Sequence, residues 1–253
     1  MSRALALAHL ALARLMLGDV ARAEEEVGRA KGWIGQLAFP QGPYSQGYAD
    51  FIESWICVES GRLDRAAVLT ANVVELGQRH GFDAWLVIGA TQQAAVAGLA
   101  ALAAGDVDVL SSHIETMTAL VNTWRAIRLK IYLPMFDAVL GRLLLGAGDA
   151  EQARIRFDAG LQLAAETGLR FYDAELLRLR ARTKPATDRQ ADVSAALSLA
   201  AQQEATLFQL RAALDDFDLR GEQARAGLVD VLGRVPPGSV LPEVVRARQL
   251  LFG

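Results

Sequence analysis

Four glycines set the frame of this chain. Gly18, Gly61, Gly105 and Gly148 each break a long helix-favouring run, and they are separated by 43, 44 and 43 residues. The period extends to neighbouring positions. Seven residues before each glycine stand Ala11, Ser54, Gly98 and Gly141, all small. Five residues after stand Ala23, Ala66, Leu110 and Ala153, and nine after stand Val27, Thr70, Ile114 and Phe157. Asp19, Asp106 and Asp149 directly follow three of the four.

Each position has a physical reason. Glycine ends a helix at no steric cost in the left-handed conformation. The aspartate accepts hydrogen bonds from the free N–H groups opening the next helix. Small residues on facing helices let two antiparallel helices approach closely, and the larger residue at offset nine fills the space left over. The unit predicted is a helix hairpin, and the pattern predicts an all-α, tetratricopeptide-like α-solenoid of antiparallel hairpins with a period of about 43 residues. Standard tetratricopeptide repeats have 34 residues, so longer helices or loops are expected here.

The predicted hairpins are 3–17 with 19–36, 44–60 with 62–80, 82–104 with 106–126, and 128–146 with 149–167. Pro40 and Pro43 are placed in the first loop between hairpins. Pro134 is tolerated if it lies in a first helical turn and kinks the helix if the helix starts earlier. One more helix is expected over 170–182, a polar loop over 183–189, then helices over 190–204, 206–220, 222–234 and 242–251. The expected division is residues 1–182 as tetratricopeptide-like repeats (four hairpins plus one helix) and 183–253 as helical repeats continuing the same solenoid.

Composition narrows the function classes. Hydrophobic residues make up 52% of the chain and aromatics only 7%, a balance of Ala, Leu and Val that favours packed helices over a sandwich of sheets. A formal charge of −3 supplies no electrostatic footprint for nucleic acid. Cys57 is the only cysteine, so an internal disulfide or a cysteine metal site is excluded, and a core role is expected. The Ala/Leu run at the start is interrupted by His9 and Arg14, unlike a signal peptide, and the charge-free stretch 85–105 carries Thr91, Gln92 and Gln93 at its middle. It reads as a buried central helix rather than a membrane span. The expectation is a cytoplasmic protein.

A second pattern lies in the C-terminal half. The stretches Gly148-Asp-Ala-Glu-Gln-Ala-Arg154 and Glu166-Thr-Gly-Leu-Arg-Phe171-Tyr-Asp-Ala-Glu-Leu-Leu-Arg-Leu-Arg180 resemble the C-terminal helical-repeat region of large bacterial ATPase regulators. Residues 200–214 are similar to the next segment of that region in the family. The resemblance covers roughly residues 80–251, with Leu176 where the family often has His. Family members join this region to a P-loop ATPase, and many to a cyclase domain or a LuxR-type helix-turn-helix. No Gly-x-x-x-x-Gly-Lys-Ser/Thr occurs in this sequence, and neither the cyclase nor the DNA-binding segment has a counterpart. The resemblance therefore implies a signalling or transcriptional regulator's interaction arm without its catalytic or DNA-binding activity.

The search for chemistry yields no catalytic or metal set and no cofactor. His9, His80 and His113 are not in metal-ligand spacing, and Glu24, Glu25 and Glu26 suit a helix start. The densest basic run, Arg178, Arg180 and Arg182 with Lys184 and Arg189, fits a solvated helix end or a docking patch for an acidic partner. On the docking reading, Glu substitutions at Arg178 and Arg182 abolish docking without unfolding the chain. A concave groove, transferred from the tetratricopeptide frame, takes Tyr48, Phe51, Trp55, Glu59, Gln92, Met135 and Arg142. These residues suit a peptide or small apolar ligand, while Phe51 and Trp55 at helical spacing equally suit a core. The helix over 4–17 is apolar nearly all round, which predicts a protein partner or self-association there. Three readings result: an interaction scaffold or sensor arm, a ligand-sensing module, and an enzyme with an unrecognised site.

Overall fold

The computed structural model describes residues 3–253. It is all-α, with no strand among the described residues. The helices are α1 (Arg3–Met16), α2 (Val20–Ile34), α3 (Gln41–Glu59), α4 (Leu63–His80), α5 (Asp83–Ala104), α6 (Val107–Ala126), α7 (Leu133–Gly146), α8 (Ala150–Thr167), α9 (Asp173–Ala181), α10 (Gln190–Gln202), α11 (Thr206–Arg220), α12 (Arg225–Arg234) and α13 (Pro242–Phe252). Short 3-10 turns precede α10 and α12.

The glycine period is a period of turns. Gly18, Gly61, Gly105 and Gly148 all have positive φ, from 71° to 84°. In each, the glycine N–H donates to the carbonyl three residues back, and the next residue's N–H donates to the carbonyl five back. Asp19, Asp106 and Asp149 then cap α2, α6 and α8 by accepting from the N–H groups of Arg22, Val109 and Gln152. Arg62 stands where an aspartate would cap α4 and makes no such bond.

The small positions lie where the helices meet. Ala11, Ala23, Ser54, Ala66 and Ala153 are fully buried. At Gly141 a β-carbon would run into the ring of Phe157 on α8, so this residue sets the closest approach of α7 and α8. Ile114 departs from the pattern and is half-buried, whereas Val27, Thr70 and Phe157 are buried.

Two helix starts differ from expectation. α7 begins at Leu133 rather than 128, after a turn over 127–132, which places Pro134 in the first turn where it removes no helical hydrogen bond. Pro43 lies inside the first turn of α3 rather than in a loop, for the same reason.

The chain divides into two compact units, one of residues up to Val96 with Pro236–Pro242, the other of Ala97–Val235 with Glu243–Gly253. In the first, α1 packs on α2 and α3, and the segment after α12 returns so that Ser239 Oγ donates to the carbonyl of Gly18. In the second, α7 packs on α8, and α9, α10 and α11 pack on one another. By length and composition α5 is apolar enough to cross a membrane. However, two of its three central polar residues are buried: Thr91 and Gln92 are inaccessible, Gln92 Nε2 donating to the Phe51 carbonyl of α3 at 2.9 Å, while Gln93 is exposed.

Candidate functional site

The residues expected to line a groove are mostly core. Phe51, Trp55, Gln92 and Met135 are fully buried, and Glu59 nearly so. Phe51 and Trp55 meet edge to face at 6.4 Å, as packed rings do. Only Tyr48 and Arg142 reach partial exposure. The set is also split, since Met135 and Arg142 belong to the second unit and the other five to the first. These aromatics recur at helical spacing because they fill the hairpin interior, so five of the seven are corrected from groove to core.

The rings continue outward, and the sequence pattern does not announce that continuation. Tyr48 stacks on Phe51 and touches Trp85, and Trp85 lies 5.3 Å from Tyr44. Tyr44 meets Phe82 edge-on at 5.4 Å. Phe82 then contacts both His80 and Phe39, and Phe39 lies 5.7 Å from His80. Trp85 is 3% exposed, His80 and Phe82 are half-buried, and Tyr44 and Phe39 are 46% and 66% exposed. Gly47 allows the row to close up, because a β-carbon there would stand 3.0 Å from the Trp85 indole. Thus the α2–α3 connection, the first turn of α3 and the α4–α5 connection together present a surface platform of Phe39, Tyr44, His80 and Phe82.

Of the other sequence candidates, His9 Nδ1 donates to Leu5 O (2.8 Å) and His9 Nε2 hydrogen-bonds Tyr48 Oη (2.9 Å), bridging α1 and α3. α1 buries Ala4, Leu7, Ala8, Ala11, Leu12 and Leu15 and leaves His9, Leu10, Ala13 and Leu17 beside it exposed. Cys57 is buried, and burial raises its thiol pKa, as expected of a core cysteine. No cluster of three or more metal-ligating side chains occurs among the described residues.

The basic run is not one patch. The Arg178 guanidinium is buried, donating to both Glu175 oxygens at 2.7 and 2.8 Å and to Asp215 at 2.9 Å. Burial opposes ionisation of Glu175, but Arg178 and Arg211 beside it outweigh that cost and hold its pKa at about 2. Arg180 faces another way, gripping Asp192 at 2.9 and 3.1 Å and Asp158 at 3.2 Å. Arg182 is exposed and forks onto Asp215. Arg178 is therefore corrected from a docking cation to an internal one, and a Glu substitution there tests folding rather than docking. The acids that claim these arginines across the fold lie 12 to 37 residues away in sequence, so the run alone could not reveal them.

One further buried acid stands out. Asp137 on α7 has no exposed surface, and burial pushes its pKa up to about 6 against the pull of Arg125 at 2.6 Å. Asp137 Oδ1 and Arg125 Nη1 are both buried without a partner.

No family model and no curated protein sequence matches the chain. Among solved structures, 14 chains match. One is the crystal structure of the apo form of RapI, which superposes with a TM-score of 0.61 over 98% of this chain and 84% of that one, at 12% identity. At that identity the likeness is one of fold, and it places this chain among all-helical repeat structures.

Proposed function

We propose that this chain is a non-enzymatic protein-interaction module, the scaffold or sensor arm of a bacterial signalling regulator, acting in the cytoplasm. Its partner surface is the aromatic platform of Phe39, Tyr44, His80 and Phe82. One observation carries the reading. A Phe 66% exposed, in contact with His80 and Phe82, keeps apolar area in water that the chain's own helices do not cover. Aromatic residues of this kind are the usual energetic anchors of protein interfaces, because they offer large area and few rotatable bonds. The resemblance of 148–180 and 200–214 to the helical-repeat region of ATPase regulators supports the regulatory assignment. The ion-paired arginines support a non-catalytic one, since Arg178 and Arg180 are each held by two carboxylates.

Site-specific photo-crosslinking in the source cell tests this. A photoreactive phenylalanine analogue at position 39 is expected to yield a discrete protein adduct. The same analogue at Val68, also exposed but on the outer face of α4, is expected to yield none. Equal adducts at both positions, or none at position 39, would overturn the assignment.

A further inference from the structure

The second unit contains an open cleft of about 430 Å³ between the end of α9, the start of α10, α11 and α13. Its apolar floor includes Val193 and Leu219, and three guanidinium groups, those of Arg182, Arg189 and Arg246, surround it. Two carboxylates also line it, and both are occupied. Asp215 accepts from Arg182 at 2.6 and 3.2 Å and from the buried Arg178 at 2.9 Å. Asp218 accepts from Arg246 Nη2 at 2.8 Å on each oxygen. Arg189 has no carboxylate among the described residues. Its Nε donates to the Lys184 carbonyl at 2.8 Å, which orients the guanidinium and leaves both Nη groups unused.

Charge in the cleft is therefore unbalanced, since Asp215 is shared between two arginines and Arg189 has none. We propose that this cleft binds a small phosphate-bearing molecule. Arg189 is the primary anchor, and Arg182 and Arg246 contribute the N–H groups their aspartates leave free. A dianionic phosphate suits a cleft lined by three guanidiniums better than a monoanionic carboxylate does, because its oxygens accept from several donors at once. The volume falls within the range of small-ligand sites, and the apolar floor suits the organic body of a phosphomonoester. This site is independent of the aromatic platform, which lies in the other unit.

Isothermal titration of the full chain with inorganic phosphate, in low-chloride buffer at pH 7.5, tests the proposal. The expected result is one saturable site, weakened about tenfold or more in Arg189→Gln, the loss expected for a charge-assisted hydrogen bond. Arg246→Gln on α13 is expected to weaken it as well. Arg234→Gln, whose arginine pairs with Asp230 within α12, leaves affinity unchanged. Acetate is expected to bind at least about tenfold more weakly than phosphate. Thermal melts confirm that each variant is folded; Arg189 holds a single carbonyl, so its loss costs little. Absence of a saturable site, equal affinity in Arg189→Gln and the wild type, or acetate binding as tightly as phosphate would each overturn the assignment.

Discussion

The guanidinium of Arg178 is clamped by Glu175, one turn earlier on α9, and by Asp215 across on α11, with the side chains almost wholly withdrawn from water. Three ionised groups in so dry a place are stable only together. Removing Arg178 leaves Glu175 with Arg211 alone and Asp215 with Arg182 alone, buried charges short of a partner, at a cost of up to about 3–5 kcal/mol. Arg178→Met is therefore expected to unfold at markedly lower urea concentration than the wild type. A stability within about 1 kcal/mol of wild type would contradict the network.

The same network predicts an acid limb. Glu175 has a folded pKa of about 2, below the ordinary value of 4.5. A lowered folded pKa contributes stability above the unfolded pKa, and that contribution is lost as pH falls through the folded one. Thermal melts are expected to lose stability between pH 4.5 and 2, the two pKa values, and Glu175→Gln is expected to flatten that limb.

Asp137 predicts the opposite slope. Its folded pKa of about 6 lies above its ordinary value of 3.8. The proton is bound more tightly in the folded chain, so this contribution is full below the unfolded pKa and fades as pH rises through about 6. A shift of about two units corresponds to at most about 3 kcal/mol, or several degrees of melting temperature in a chain of this size. Asp137→Asn is expected to raise the melting temperature at pH 7.5 and to have little effect at pH 3, below the unfolded pKa of 3.8. A gain of the same size at both values would place the cause elsewhere than in the ionised carboxylate.

The turn geometry makes its own prediction. Glu204, between α10 and α11, has φ of +56°, and its N–H and that of Ala205 donate to the carbonyls of Ala201 and Ala200. This is the turn of Gly18, Gly61, Gly105 and Gly148 built on a residue with a β-carbon. Glu204→Gly is expected to stabilise the chain by about 1 kcal/mol, and Gly148→Ala to destabilise it by about the same amount. Denaturant midpoints read both, and a destabilised Glu204→Gly would contradict the strain.

These elements show why the fold was legible and the surfaces were not. The four glycines and their flanking small residues repeat because each serves the same hairpin. A period therefore reports the fold directly. The turn at Glu204 escaped this logic, since its left-handed residue is not glycine and nothing in the sequence marks it. Phe51 and Trp55 were ambiguous because aromatic spacing along one helix is the same for a core and a groove; neighbouring helices decide it. Arg178 read as a surface cation because Asp215 is 37 residues away. The platform was invisible for a related reason, as Phe39, Tyr44, His80 and Phe82 sit on three segments that only the packing of α2 to α5 brings together.

The most direct test of the interaction-module account is the native mass of the chain isolated from its source cell, wild type against Phe39→Ser/Tyr44→Ser. Both positions are exposed, so the double variant is expected to fold and melt as the wild type does. The account predicts that the wild type carries a second protein chain in fixed ratio and that the double variant is recovered alone. The same assembly in both, or no assembled chain in either, would contradict it.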